Sequence, residues 1–379
     1  MAKGIYVGVD DKARKVKKVY VGVDSKARKV KKVYIGVNGI ARQCFSAEKA
    51  VVYNGTLASL PFTNKSHYEH QFTSGTDKMF IMGGLAYGDT SFNLCCSYTK
   101  NFTRTDLNNL TEPVENAKGG FNGVLHISAG GAGYTYSVSS VTAYNESNVK
   151  SRLDDLYEGT YNHAGGRAGN YVVVGGGENG QGNSYHKRVY AFSQTGVKTA
   201  PSDLSVGREY LSGTSINGEM MVFAGGLQDT YPYRSNVVDG YNANLVRTSV
   251  STFTNRYENT ASAIKDFAIF VGGTSNQVAG QACLNIIEVY NKSLVKVTTS
   301  SLSYNVESAC GVSSQENTLL IGGYTVTGSN WTKAVTKLNA DLVQSSMADT
   351  TLGYRITGTF FNNYFVFASG TVVDTYVEL

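Results

Sequence analysis

The chain has 379 residues with 42 Gly, 26 Tyr and only 4 Pro, which suits many short strands joined by tight turns. Its five cysteines (Cys44, Cys95, Cys96, Cys283 and Cys310) are odd in number and irregularly spaced, which argues against a disulfide framework and a zinc site. No apolar run reaches the roughly 18 residues of a membrane-spanning segment, and no signal peptide is recognisable. We therefore expect synthesis in the cytoplasm and no membrane insertion.

Charge divides the chain into two parts. Residues 1–42 hold nine Lys and three Arg against three Asp, a net charge of +9, so the rest of this +5 chain carries −4. Such asymmetry indicates two modules with different surroundings. We place a basic module at residues 1–45 and a second module at residues 46–379.

The basic module repeats every 14 residues. Alternation of apolar and polar residues over 6–9 and 13–17 predicts short β-hairpins, with turns at Asp10-Asp11, Asp24-Ser25 and Asn38-Gly39. Three hairpins of this size bury too little surface to be stable alone, so the module needs a partner. The tyrosines and arginines that keep this spacing are the candidate assembly residues: Tyr6, Arg14, Tyr20, Arg28, Tyr34 and Arg42.

Three interpretations of the module remain open. It is a solvated basic arm, a nucleic-acid-binding segment or an assembly module. Nucleic-acid binding is the least favoured, because the charges lie in a regular β repeat without aromatic stacking residues. Residues 20–42 resemble short repeats in tail-associated proteins of phages and prophages of Gram-positive bacteria, where they typically precede a larger C-terminal domain. The resemblance implies attachment to a particle.

Beyond residue 78, a short apolar run followed by a glycine pair recurs at intervals of 47, 45, 50, 47, 50 and 47 residues. A period of about 50 fits one four-stranded blade, so seven repeats predict an all-β, seven-bladed propeller. The pairs, the last with Ser in the first place, are Gly83-Gly84, Gly130-Gly131, Gly175-Gly176, Gly225-Gly226, Gly272-Gly273, Gly322-Gly323 and Ser369-Gly370.

Each repeat predicts the same strand order. A turn signal such as Asn217-Gly218 precedes an apolar second strand such as Met220–Ala224. A third strand then ends in an aromatic residue, as at Tyr144-Asn145 and Tyr241-Asn242. The last repeat has no fourth strand, and a spare strand near residues 56–62 is expected to complete its blade and close the ring.

Over roughly residues 50–379 this pattern resembles Kelch repeats, which combine four apolar residues, a glycine pair and a downstream Tyr and Trp. The glycine pair and the Tyr match. The family's Trp is absent from nearly every repeat, since Trp331 is the single tryptophan of the chain. The resemblance implies a Kelch-like propeller.

Long loops are expected after the glycine pairs, all on one face of the propeller. Tyr and Trp among Ser, Gly and Asn are typical of binding surfaces, and sugar rings stack on such aromatic faces. The alternative is that these aromatic residues only cover the ends of the blades. The candidate ligand-binding residues are Tyr87, Tyr134, Tyr136, Tyr185, His186, Tyr231, Tyr233, Arg234 and Trp331.

Acidic residues recur 14 to 16 residues before the glycine pairs, at the predicted start of the innermost strands. They either form a partial acidic ring that attracts a cation, or hydrogen-bond to adjacent blades and lock the ring, which we favour. The residues at this place are Glu69, Glu115, Glu209, Glu258 and Glu307, with Asn162 and Arg355 in the other two repeats.

No catalytic constellation is apparent: the five His lack metal-ligand spacing, and no glycine loop opens a helix. We expect a non-enzymatic, homo-oligomeric protein without cofactor or metal. The expected function is receptor binding in the tail of a phage or a phage-tail-like bacteriocin particle. Its partners would be other particle proteins and a bacterial surface glycan or protein, and its location the particle. The alternatives are a structural baseplate or tail component and an enzyme that acts on surface glycans.

Overall fold

The computed structural model describes residues 6–9, 12–15, 19–23, 26–30, 32–37, 40–46, 49–56, 67–86, 90–134, 136–180, 185–275, 283–325, 330–353 and 355–379. The chain divides into two compact units, one of Met1–Ala50 with Leu379 and one of Val51–Glu378. The described residues contain strands and turns and no helix, so none of them forms a helix that could cross a membrane.

The strands of the first unit pair two by two, β1 with β2, β3 with β4 and β5 with β6, all antiparallel. Their bounds are Tyr6–Val9 (β1), Lys12–Lys15 (β2), Val19–Val23 (β3), Lys26–Val30 (β4), Lys32–Val37 (β5) and Ile40–Ser46 (β6). The candidate assembly residues Tyr6, Arg14, Tyr20, Arg28, Tyr34 and Arg42 lie one on each strand, and their side chains are outside what the structure describes.

The second unit begins with β7 (Val51–Thr56) and consists of seven four-stranded antiparallel sheets, which confirms the seven-bladed propeller. Blade 1 has β9 (Gln71–Ser74), β10 (Lys78–Met82), β13 (Cys95–Thr99) and β14 (Arg104–Asp106), with a small extra sheet of β8 (His67–Tyr68), β11 (Leu85–Ala86) and β12 (Thr90–Ser91). Blade 2 has β15 (Lys118–Phe121), β16 (Leu125–Ala129), β17 (Val141–Asn145) and β18 (Lys150–Leu153). Blade 3 has β19 (Ala164–Ala168), β20 (Tyr171–Gly175), β21 (Val189–Phe192) and β22 (Lys198–Thr199).

The remaining blades follow the same order, from the innermost strand outwards. Blade 4 has β23 (Ser212–Ile216), β24 (Met220–Ala224), β25 (Val238–Tyr241) and β26 (Arg247–Val250). Blade 5 has β27 (Thr260–Ile264), β28 (Phe267–Val271), β29 (Ile286–Asn291) and β30 (Lys296–Ser301). Blade 6 has β31 (Cys310–Ser313), β32 (Asn317–Ile321), β33 (Val335–Asn339) and β34 (Gln344–Ser346). Blade 7 has β35 (Thr357–Phe361), β36 (Tyr364–Ser369), β37 (Val372–Glu378) and, outermost, β7.

The second and third strands carry the core. Every residue of β24 is buried, because both faces of its blade pack against neighbouring blades. The aromatic residue near the end of the third strand is buried as well, and its hydroxyl often reaches the loop that enters the blade: Tyr241 donates to the Ser202 carbonyl at 2.8 Å. The following Asn242 fixes the next turn, accepting the backbone N–H of Val246 at 3.0 Å.

Buried carboxylates on the third strands also bind the loops that lead into their blades. Asp239 in blade 4 forms an ion pair with Arg208 at 2.8 Å, and Glu288 in blade 5 forms one with Arg256 at 2.5 Å. All four of these side chains are fully buried. Since charges are costly to bury alone, each pair depends on both partners.

The first strand of the propeller completes its last blade, as predicted, but it lies at Val51–Thr56 rather than near residues 56–62. The register explains the position: Tyr53 lies opposite Tyr376, and the Thr56 hydroxyl donates to Asp374 at 3.0 Å. The innermost strands pack side by side around the ring, including β35 against β9 across the closure. The last blade therefore packs against the first, and each innermost strand has a neighbouring innermost strand on both sides.

One glycine pair is also displaced from its predicted place. Gly175 belongs to β20, where it lies opposite Ala164, and the turn is made by Gly176 and Gly177, with φ values of 78° and 92°. A continued strand uses φ < 0, whereas the turn requires the left-handed region that glycine tolerates. The corrected pair makes the blades more evenly spaced along the chain.

Candidate ligand-binding face

In blades 1 to 6 the chain turns back after the glycine pair and pairs with the segment that leads into the innermost strand, whereas in blade 7 Ser369-Gly370 leads directly from β36 into β37. In five blades this pairing is a single bridge: Ala132 with Glu115, Glu178 with Tyr161, Leu227 with Glu209, Thr274 with Tyr257 and Tyr324 with Glu307. Because the innermost strands line the channel of a propeller, these residues lie around its mouth. We call them the mouth ladder.

The mouth ladder depends on glycine. At Gly272 the φ value is 63°, and an added Cβ would lie 2.1 Å from the Val306 carbonyl oxygen. Backbone of the neighbouring segment therefore approaches the glycine turn more closely than any side chain permits. This is the physical reason for the repeated pair.

The predicted acidic set occupies two different ladder positions, one residue apart. Glu115, Glu209 and Glu307 are bridge residues of the mouth ladder. The next position along the chain has φ between 48° and 55° in every blade and includes Glu69 and Glu258. The spacing to the glycine pair already differs, being 14 residues for Glu69 and Glu258 and 15 or 16 residues for the other three, and the structure shows that this difference separates two positions.

Several of these carboxylates hydrogen-bond to adjacent blades, as we favoured from the sequence. Glu69 accepts the Asn116 amide at 2.8 Å and forms an ion pair with Arg355 at 3.1 Å. Glu258 accepts the Ser308 hydroxyl at 3.0 Å. Each contact joins one blade to the next around the mouth and stabilises the ring.

A group at blades 3 and 4 brings two carboxyls together. Glu209 accepts the Asn162 amide at 3.0 Å, and the side chains of Glu178 and Tyr185 both act electrostatically on its carboxyl. Burial, followed by the interaction with Glu178, raises the pKa of Glu209 to about 7. Burial, and after it the charge of Glu178, raises the pKa of the Tyr161 hydroxyl.

A second acidic pair lies at blades 5 and 6. Burial raises the pKa of Glu258, and the charge of Glu307 adds to this effect. Burial likewise raises the pKa of Glu307, and the Cys283 side chain lowers it in part. Burial also raises the pKa of the Cys283 thiol to about 12, so this thiol is protonated and unreactive at neutral pH.

Aromatic side chains border the same mouth. Trp331 lies beside Tyr324, with ring centroids 3.4 Å apart. The charges of Arg355, Glu258, Glu307 and Glu69 all act on the Tyr324 hydroxyl, which places this ring among residues of four blades. An aromatic surface next to hydrogen-bond acceptors can bind a sugar: the C–H face of the sugar stacks on the aromatic rings, and the sugar hydroxyls donate to the acceptors.

Further out, the loops expose aromatic residues. Tyr134 and Tyr136 in blade 2 are 81% and 72% exposed. Tyr231 in blade 4 is 85% exposed and packs edge-on against Tyr233, with ring centroids 6.1 Å apart. Exposed tyrosines at such positions add little to the core and are available for contacts.

The structure brings together some predicted site residues and not others. Tyr185, Arg234 and Trp331 occupy equivalent places in their loops. In each case the backbone N–H of the next residue donates to the carbonyl of the second glycine of the turn. His186 is buried instead, with its Nε2 3.6 Å from a Glu158 carboxylate oxygen. Tyr87 lies outside the described residues.

Sequence reasoning missed the acidic and aromatic residues of the mouth ladder other than the predicted glutamates: Glu178, Tyr161, Tyr257 and Tyr324. Their positions in the sequence could have identified them, since Glu178 and Tyr324 directly follow a glycine pair and the other two precede an innermost strand. The described residues hold no group of three or more His, Cys, Asp or Glu arranged to bind a metal.

Comparison with known proteins supports the fold. No family model matches the chain, and no curated protein matches its sequence. The structure of YjhT resembles this chain with a TM-score of 0.56 and 15% identity, covering 76% of this chain and 100% of the YjhT chain. At this identity the likeness concerns architecture only, and the architecture of the second unit is a seven-bladed β-propeller.

Proposed function

We propose that this protein is a non-enzymatic receptor-binding component, of the tail-fibre or tail-tip kind, in a phage or phage-tail-like bacteriocin particle. The Kelch-like propeller presents its loop face to a glycan or protein of the bacterial surface. The basic repeats of residues 1–45 anchor it to other particle proteins, in several copies per particle. The resemblance of those repeats to phage-tail proteins supports the particle context.

One observation supports the recognition role: exposed tyrosines and a channel mouth rich in hydrogen-bond acceptors lie on the same face of the propeller. Tyr134, Tyr136 and Tyr231 are mostly exposed, while Tyr324 and Trp331 form an aromatic pair beside Glu307. Rigid aromatic side chains bind at low entropic cost, and carboxylates accept the hydroxyls of a polyol. A surface glycan is therefore the favoured receptor.

The recognition role is tested by replacing Tyr231, Tyr233 and Trp331 with Ala and measuring attachment to whole cells. We expect a loss of roughly 2–4 kcal/mol in attachment, as for interface anchors. Val246, Val295 and Val343, which are exposed on turns of the opposite face, provide the control when changed to Ala. Equal attachment by the two triple variants would refute the role of the loop face.

The anchor is tested by deleting residues 1–45. The deletion has to stop before Val51, because β7 closes the last blade. We expect a folded propeller that is no longer incorporated into particles. Normal incorporation would refute the anchor.

A glycan-acting enzyme is the second candidate, and the effect of the Glu178 charge on the buried Glu209 carboxyl favours it. A buried carboxyl with a pKa near neutrality beside a second carboxyl suits acid–base catalysis. Glu209→Gln would then abolish release of sugars from cell-wall material while leaving attachment intact. A structural baseplate role, in contrast, predicts that loop-face variants disturb particle assembly rather than attachment.

A further inference from the structure

The ring of loops around the channel mouth is interrupted at blade 7. In blades 1 to 6 a loop with the glycine turn separates the second strand from the third, and this loop pairs with the segment that enters the same blade. In blade 7 only Gly370 and Thr371 separate β36 from β37, and Ser369 pairs directly with Val372. We call the gap in this ring of loops the blade 7 notch.

Blades 6 and 1 border the notch, because the innermost strand of blade 7, β35, packs against both β31 and β9. At blade 6, a Cβ added at Gly322 would lie 2.5 Å from the Ile356 Cδ1, so the glycine turn of blade 6 contacts the segment that enters blade 7. At blade 1, a Cβ added at Gly370 would lie 3.6 Å from the Tyr68 hydroxyl oxygen. The tyrosine of blade 1 therefore lies beside the short turn of blade 7.

On the blade 6 side, a carboxylate and two aromatic rings lie in one row. Glu307 and Tyr324 exchange two backbone hydrogen bonds, at 3.1 and 2.9 Å, and Tyr324 forms a second bridge with Trp331. Residues directly opposite one another in an antiparallel ladder carry their side chains on the same face. The ring centroids of Tyr324 and Trp331, 3.4 Å apart, agree with this register.

On the blade 1 side, an ion pair joins blade 7 to blade 1. Arg355, which precedes Ile356, is 3.1 Å from Glu69, and their side chains are 41% and 19% exposed. The guanidinium donates hydrogen bonds and the carboxylate accepts them. Together they offer both functions to sugar hydroxyls without a net charge.

We infer that the blade 7 notch binds a linear, uncharged glycan chain, in which one sugar ring stacks on the Trp331–Tyr324 pair and the hydroxyls of a neighbouring ring bind Arg355 and Glu69. Aromatic surface with a few polar groups beside it is the usual composition of a ligand site. Because the turn between β36 and β37 is so short, the chain can continue outwards past Thr371 instead of ending in the mouth. The inference rests on the proposed function and assigns the glycan to one sector of the loop face.

Fluorescence provides the test, because Trp331 is the single tryptophan of the chain and its emission reports on the notch. Neutral wall polysaccharides purified from a panel of bacterial strains are titrated into the full chain. We expect at least one of them to change the emission in a saturable way. The monosaccharides released from it by hydrolysis should bind about tenfold more weakly or worse, since each occupies only one of the two positions.

A matched pair of variants locates the binding. Thr371→Tyr adds an aromatic side chain at the exposed turn in the notch and should weaken polysaccharide binding about tenfold or more. Thr230→Tyr makes the same change at an exposed position of the blade 4 loop and should bind like the unaltered protein.

Two results would overturn the notch: no emission change with any of the polysaccharides, or equal binding by Thr371→Tyr and the unaltered protein. Attachment of the same proteins to whole cells of the same strains separates this inference from the proposed function. Attachment that is lost in Thr230→Tyr but kept in Thr371→Tyr supports the function and refutes the notch. Polysaccharide binding that Thr371→Tyr abolishes, in a protein that attaches to no strain, supports the notch and contradicts the function.

Discussion

Replacing Arg208 with Met is expected to cost more stability than replacing Arg256 with Met, although both residues form fully buried ion pairs. Without Arg208, the Asp239 carboxylate keeps only neutral donors: the Ser205 backbone N–H at 3.3 Å and hydroxyl at 3.1 Å, and the Ser249 hydroxyl. Stranding a buried charge in this way costs about 3–5 kcal/mol.

Glu288 is protected by a second cation. Lys296 remains 2.5 Å from its carboxylate after Arg256 is removed, and Thr254 still donates to it. In blade 4 the residue at the place of Lys296 is Arg247, which donates to the Asp203 carbonyl instead. We therefore expect a loss of about 1–3 kcal/mol for Arg256→Met, since a charged hydrogen bond is retained.

Denaturant unfolding, followed by the strand signal in circular dichroism, measures both losses on the same scale. The double change Arg208→Met with Asp239→Leu should recover most of the stability lost in the single variant, because no charge is left unpaired. An Arg256→Met variant as unstable as Arg208→Met would refute the reasoning, and so would losses below about 1 kcal/mol in both.

Two further predictions concern pH and the glycine turns. Folding raises the pKa of Glu209 from 4.5 to about 7, so its stabilising contribution is complete below about pH 4.5 and is lost as pH rises through about 7. The difference in melting temperature between the unaltered protein and Glu209→Gln should follow this course. A difference that stays constant with pH would contradict the prediction. Gly272→Ala should lower the free energy of unfolding by at least about 2 kcal/mol, because Gly272 has a positive φ and the Val306 carbonyl lies close to the added Cβ. Gly353→Ala, with no atom within 4 Å of the added Cβ, should be nearly neutral in thermal unfolding. Equal effects of the two changes would refute the steric argument.

The blades were predictable because their signals are local. The turn before β24, its five buried residues and the glycine pair after it follow one another without interruption. The closing strand was displaced, because its place depends on pairing with β37 at the other end of the chain. Local pattern contains no information on such a register.

The site was less predictable than the fold. The exposed tyrosines were found from composition, and the contacts of Glu69 and Glu258 with adjacent blades were anticipated. The effect of Glu178 on the pKa of Glu209 was not anticipated, because the two residues come from different blades. His186, predicted for the loop face, is buried beside Glu158 in the segment just before β21.

The pairing of β7 with β37 also sets the order of events during synthesis. The Tyr53 hydroxyl and the Asp374 carboxylate, 3.4 Å apart in the folded protein, are separated by 321 residues of chain. On the ribosome β7 is made before the other strands of the propeller and β37 after them, so β7 has to remain without this partner until the rest of the propeller has been synthesised. A chain that terminates prematurely cannot close its ring, and its exposed strand edges distinguish it from the finished protein.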